Sequence, residues 1–253
     1  MTARASAWLK TLGSLAEHGL KVSFARNELA GDATVVAAAL DAICRAAEQG
    51  EPAPRNALSA FVPVVVDPDH IAVIERLRSA ALETHLLSLG RLLRGSTVAG
   101  HELDREPVGE VVQRDGRPLT LGERRALARQ PSRRVLDGLM RDPHPMVAAV
   151  VLENPRITEQ DVLRMAALRP ANPAVMSEIA KIWSRRARVR MAVVLNPGAP
   201  PAVAVPMLAL LTRPELAAVG RAADLRPLVR ATARELFDLR PPLPPADPPR
   251  LPH

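Results

Sequence analysis

Prolines at regular steps in the C-terminal half constrain this chain more than any other feature. Pro131, Pro155, Pro173, Pro197 and Pro214 are 24, 18, 24 and 17 residues apart. Each stands before a short apolar stretch with helical spacing, and three follow asparagine, in Asn154-Pro155, Asn172-Pro173 and Asn196-Pro197. Steps of 24 and 18 make a unit of 42 residues, and a fixed period of that size marks a stack of short helices. Proline suits the first turn of a helix, where an N–H has no intrahelical partner to lose. The 25 prolines therefore favour many short helices over a few long ones. Helices of two or three turns are unstable alone and need neighbours to cover their apolar faces, which is why such units stack.

From Thr120 onward the pattern predicts helices over residues 121–128, 132–140, 146–152, 158–168, 173–183, 188–195, 200–211, 214–220 and 225–239. Thr120 and Glu123 have the spacing of a capping box, and Thr158 is placed to open another helix. Residues 146–155 overlay on residues 189–197 with one residue missing before the asparagine, and both end an apolar helix with Asn-Pro. Asparagine tolerates the left-handed conformation that ends a helix, and proline removes the helical well for the residue before it.

Residues 1–95 read as an N-terminal helical domain without a clear repeat. Trp8, Leu9, Leu12 and Leu15 give an amphipathic stretch over residues 5–18. Asp32 caps an alanine-rich helix that runs to Gln49 and stops at Gly50. Pro52 and Pro54 mark a loop. Residues 56–66 fit a short helix or a strand, since Val64, Val65 and Val66 favour a strand and Pro63 opposes a central one. Residues 69–94 read as one long helix, with Ile71, Ile74, Leu77, Ala81, Leu82, Leu86, Leu89 and Leu93 forming its stripe and His85 beside it. Residues 96–118 carry three glycines and a cluster of charges, and are read as a linker with a short strand and turn near Asp115-Gly116. The array spans residues 119–239. A proline-rich tail, residues 240–253, favours an extended, disordered end.

Aromatic residues make up 2% of the chain and tyrosine is absent, so the core is built from Leu, Val, Ala, Ile and Met. The net charge is +7, carried almost wholly by arginine, since Lys10, Lys21 and Lys181 are the only lysines. Such a charge attracts nucleic acid or acidic partners; the codon preference of a GC-rich genome also accounts for choosing arginine. Cys44 is alone, which excludes an internal disulfide, and its apolar surroundings predict a buried thiol. Neither a signal peptide nor an apolar run of about 20 residues is present, and the expectation is a soluble cytoplasmic protein without membrane insertion.

The repeat half resembles the HEAT-like and leucine-rich-repeat-variant class of bacterial helical solenoids. The resemblance rests on Arg141-Asp142-Pro143-His144-Pro145-Met146-Val147, on Glu153-Asn154-Pro155-Arg156-Ile157-Thr158, and on Arg188-Val189-Arg190 followed by Asn196-Pro197-Gly198-Ala199-Pro200. It covers residues 119–238. It implies an all-α fold, a right-handed α-solenoid of short paired helices preceded by the N-terminal helical domain. Ala148 stands where the pattern has arginine, and the Asp turn before Arg188 is missing. The cysteine cluster of some variant-repeat proteins is also missing, so no iron–sulfur cluster or other cofactor is implied.

Phosphate loops, nucleotide fingerprints, zinc helices and nucleophile elbows are absent from the sequence. His101-Glu102 has no second histidine four residues on; Glu102, Asp104 and Glu106 read as a solvated linker, and His144 as a rigid loop residue between two prolines. The candidate binding surface is Trp183, Arg185, Arg186, Arg188 and Arg190, joined by the basic pairs Arg124-Arg125 and Arg133-Arg134. Arginine clusters grip phosphates bidentately. The alternative is a solvated turn with Trp183 in the core and arginines paired to carboxylates of the next repeat. Two functions follow as expectations. One is a non-enzymatic scaffold that binds an unidentified protein partner on an extended surface. The other is nucleic-acid-backbone binding on a basic ridge, akin to the HEAT-like DNA glycosylases, which the scarcity of aromatic stacking residues disfavours.

Overall fold

Side-chain caps decide where many of these helices begin. The computed structural model describes residues 1–95 and 118–242, and the fold is all-α. Thr2 accepts from the Ala5 N–H to open α1 (Ala3–Ser14), and Asp32 accepts from Val35 N–H to open α3 (Ala33–Glu48). Between them runs α2 (His18–Leu29). Its apolar residues are spread around the helix, so no stripe announces it. α3 ends as expected, with Gly50 in the left-handed region at φ 86°.

α4 (Pro52–Val65) resolves the ambiguous stretch as helix. Pro52 and Pro54 lie in its first turn instead of a loop. Val62, Val64 and Val65 are buried, and packing against α2 and α3 outweighs the strand preference of branched side chains. A short 3₁₀ turn, Pro68–His70, leads to α5 (Ile71–Glu83), and α6 (Leu87–Leu92) follows.

The single helix expected over residues 69–94 is therefore two. His85 adopts φ 54° just past the α5 cap, with Leu86 N–H donating to the Ala81 carbonyl at 2.8 Å and His85 N–H to that of Leu82 at 3.4 Å. This is the left-handed helix ending that glycine usually makes. The chain restarts because Asp41 of α3, 1% exposed, accepts from the Ser88 and Leu89 N–H groups at 3.0 Å each. Glu48, one helix face along, accepts from Ser88 Oγ at 2.7 Å and from Arg91.

Among the described residues, nine helices follow in the second half: α7 (Leu121–Ala128), α8 (Arg133–Leu139), α9 (Pro145–Glu153), α10 (Glu159–Ala166), α11 (Pro173–Trp183), α12 (Ala187–Val194), α13 (Pro201–Leu208), α14 (Arg213–Arg221) and α15 (Pro227–Leu239). They lie where the periodicity puts them, within a few residues. Capping boxes open α7, α10 and α14, on Thr120 with Glu123, Thr158 with Asp161 and Thr212 with Glu215. α7 packs on α9, α9 on α11, α11 on α13 and α13 on α15, while α10 packs on α12.

The first half docks onto this series. α4 touches α11 and α13, α6 touches α13, and the buried apolar residues of both halves form one cluster. At the seam, a Cβ on Gly95 would lie 2.2 Å from the Pro201 carbonyl oxygen, so a larger residue there requires the backbone to move. Arg91 and Arg94 reach Glu235 of α15 at 3.1 and 2.7 Å. Residues 96–117, with the expected linker strand and turn and Glu102, Asp104 and Glu106, lie outside the described residues, as do residues 243–253 of the expected tail. Among the described residues, no single helix is long and apolar enough to cross a membrane.

Helix ends in the second half are closed by side chains from a later helix. The Asn154 amide, just past α9, donates to the carbonyls of Ala128 and Gln130 at the end of α7, at 2.8 and 3.1 Å. Asn196, just past α12, does the same to Ala166 and Leu168 at the end of α10, at 2.8 and 3.0 Å. Arg240, just past α15, reaches Leu211 and Ala209 beyond the end of α13. Trp183 of α11 donates to the Leu152 carbonyl of α9 at 3.1 Å, and Arg234 of α15 to the Gly220 carbonyl of α14 at 2.9 Å. Asn154 has φ −66° and ψ 128°, so it is extended and not left-handed as the sequence suggests.

Replacing Asp41 with Ala strips two buried N–H groups of their acceptor. The expected loss is about 2–3 kcal/mol of unfolding free energy in urea titrations near neutral pH. Asp41→Asn, which keeps an acceptor oxygen, is expected to lose less.

Candidate interaction surface

The nine residues singled out in the sequence divide between structure and surface. Arg124, on α7, lies 2.8 Å from Asp142, which is 3% exposed and also accepts from His144 N–H. Arg133, at the start of α8, makes a two-pronged pair with Asp161 of α10 at 2.5 and 2.6 Å and a further pair with Asp137 at 2.9 Å. Arg164 also pairs with Asp161. Arg190 turns inward and donates to the carbonyls of Ser184 and Arg185 at 2.9 and 3.0 Å. Trp183 is half-buried against the core. The Arg125 Nε is buried.

Arg134 on α8 and Arg185, Arg186 and Arg188 at the α11–α12 corner are exposed. Their side chains make no hydrogen bond or ion pair among the described residues. The arginines therefore do not form one continuous basic ridge. Three free guanidinium groups collect at one corner, and the other basic pairs are largely neutralised or turned inward. The carboxylate partners Asp142 and Asp161 escape a reading of basic residues alone; the capping-box spacing of Thr158 and Asp161 is the one signal that places Asp161 at a helix start.

Neighbouring groups set the electrostatics. The hydrogen bond from Arg133 holds the Asp161 carboxyl well below the usual carboxylate range, against the opposing effect of burial and with help from the Thr158 N–H and hydroxyl. Burial lowers the Arg190 guanidinium, and Glu215 partly offsets this. His18, at the start of α2, is lowered by burial and then by the charges of Arg185 and Lys21.

Three other described histidines sit in local contacts or at helix ends. His144 Nδ1 accepts from Met146 N–H at 3.2 Å and caps α9. His85 is exposed at the end of α5, and His70 Nδ1 lies 3.5 Å from Asp67. Cys44 is buried as expected, and burial pushes its thiol up, which makes it a poor nucleophile. Among the described residues, no three His, Cys, Asp or Glu side chains form a group that could hold a metal ion. An apolar cleft of about 30 Å³ between α4, α5, α11 and α13, lined by Val65, Ile74, Ser177 and Val203, has room for about one water.

Compared with known protein families, curated proteins and solved structures, the chain matches none.

The Arg133–Asp161 pair gives a pH signature. A carboxyl whose folded value is depressed contributes stability above its unfolded value of about 3.9, and this contribution fades as pH falls through the folded value. Asp161→Asn is expected to lower the melting temperature at about pH 7, and its deficit relative to the unaltered chain is expected to shrink at about pH 3. Paired thermal melts across that range measure it.

Proposed function

We propose that this chain is a non-enzymatic scaffold that binds a protein partner through a helical array. In this reading the array is a right-handed α-solenoid of short paired helices, of the HEAT-like and leucine-rich-repeat-variant kind, spanning residues 119–239. The N-terminal helical domain, residues 1–95, braces it. The packing of each odd-numbered helix from α7 to α13 on the next odd-numbered one supports the solenoid, because stacked pairs place like helices side by side.

The observation that carries the choice of partner is the placement of the arginines. Gripping a nucleic-acid backbone calls for a track of cations spaced along many phosphates. Here Arg124 and Arg133 are paired with Asp142 and Asp161 and Arg190 closes its own turn, so that of these candidate arginines the exposed ones without an ion pair are Arg134 and the cluster Arg185, Arg186 and Arg188. A local patch suits a protein surface better than a duplex.

The test immobilises the full chain and challenges it separately with a displayed library of random peptides and with random-sequence DNA and RNA at about 50 mM salt, where backbone contacts are strongest. Enrichment of a related peptide family, with no retention of nucleic acid, is the expected result. Salt-dependent retention of DNA or RNA with no enriched peptide family overturns the reading.

A further inference from the structure

The α11–α12 corner is a fixed platform. Arg186 N–H donates to the Trp183 carbonyl at 2.9 Å, and Arg190 holds the carbonyls of Ser184 and Arg185. Ser184 is buried, and Trp183 is tied to α9 through the Leu152 carbonyl. The side chains of Arg185, Arg186 and Arg188 project from this framework into solvent. An immobile turn presents them at little ordering cost beyond their own rotamers.

Exposure does not by itself leave an arginine of this chain unpaired. Arg133 has 44% of its side chain exposed, and Arg164 57%, yet both pair with Asp161. The corner differs because Arg185, Arg186 and Arg188 make no ion pair among the described residues. The corner therefore presents three unpaired guanidinium groups within four residues of chain.

We infer that Arg185, Arg186 and Arg188 form a docking point for an acidic segment of the protein partner. The inference rests on the protein-binding reading and names the chemistry of the partner. Charge complementarity is the argument: a run of Asp or Glu supplies the carboxylates that the corner lacks, in the two-pronged geometry that Arg133 already shows with Asp161. Three arginines within four residues of chain match a short peptide, whereas gripping a duplex calls for cations spaced along many phosphates.

The test uses a short fluorescent peptide of Asp and Glu, its Asn/Gln counterpart, and a short DNA strand of equal length. Fluorescence anisotropy with the full chain at about 50 mM salt reads the affinity of each. The acidic peptide is expected to bind and its counterpart not to. The triple variant Arg185→Glu, Arg186→Glu, Arg188→Glu is expected to weaken acidic-peptide binding at least about tenfold. A matched triple reversal of exposed arginines elsewhere, at Arg76, Arg134 and Arg221, is expected to weaken it far less. Circular dichroism melts of both variants verify that these surface changes leave the fold intact.

Equal binding of the two peptides overturns the inference, as does equal loss in the two triple variants. So does tighter binding of the DNA strand, lost on reversing the corner. If the peptide library yields a family without acidic residues that binds the corner variant unchanged, the acidic docking point is wrong while the protein-binding reading stands.

Discussion

The unsatisfied carbonyl at the end of a short helix is the constraint on which the second half depends. A helix leaves its last carbonyls without intrahelical donors, and a left-handed glycine ending commonly supplies them. Among the described residues only Gly50 and His85 take positive φ, and both lie before α7. Asn154, Asn196 and Arg240 do the work instead, each reaching back from the end of one helix to the end of the helix two before it. One side-chain amide satisfies two carbonyls and at the same time fixes which helix lies beside which. The Asn Oδ1 is used as well: it accepts from Arg156 N–H at 2.9 Å and from Gly198 N–H at 3.0 Å. The intervening Pro155 and Pro197 have no N–H to compete for it. An Asn-Pro pair is thus a stacking device as well as a helix stop.

The same logic extends to charge. Arginine and aspartate pairs such as Arg133 with Asp161 join α8 to α10, and Arg91 and Arg94 join α6 to Glu235 of α15. Cations that serve these contacts are neutralised by a carboxylate, even where they stay exposed. A net charge of +7 is therefore a poor guide to where positive potential lies. What remains unpaired is decided by which arginines find a carboxylate, and among the described residues Arg185, Arg186 and Arg188 find none.

Helix positions in the array were legible because proline, threonine caps and short apolar runs act locally. The stretch around Pro63 and the break at His85 were not. Both are decided by contacts distant in sequence: the neighbours that bury Val62 and Val64, and the Asp41 carboxylate that receives the start of α6. α2 carried no stripe to read. At the surface, the α11–α12 arginines were visible as a run, but the inward turn of Arg190, next to the exposed Arg188, was not, because it depends on the carbonyls of the preceding helix end. Arg240 showed only as the first residue of a proline-rich tail, yet it is 5% exposed and closes α13.

Native-state hydrogen exchange on the Asn196→Ala variant tests the central claim most directly. If the carbonyl clamp joins neighbouring helices, protection falls in α10 and α12 together, by roughly tenfold for a loss of about 1.4 kcal/mol, with α7 and α9 little changed. Loss confined to the residues just around position 196, with α10 as protected as before, would contradict the account.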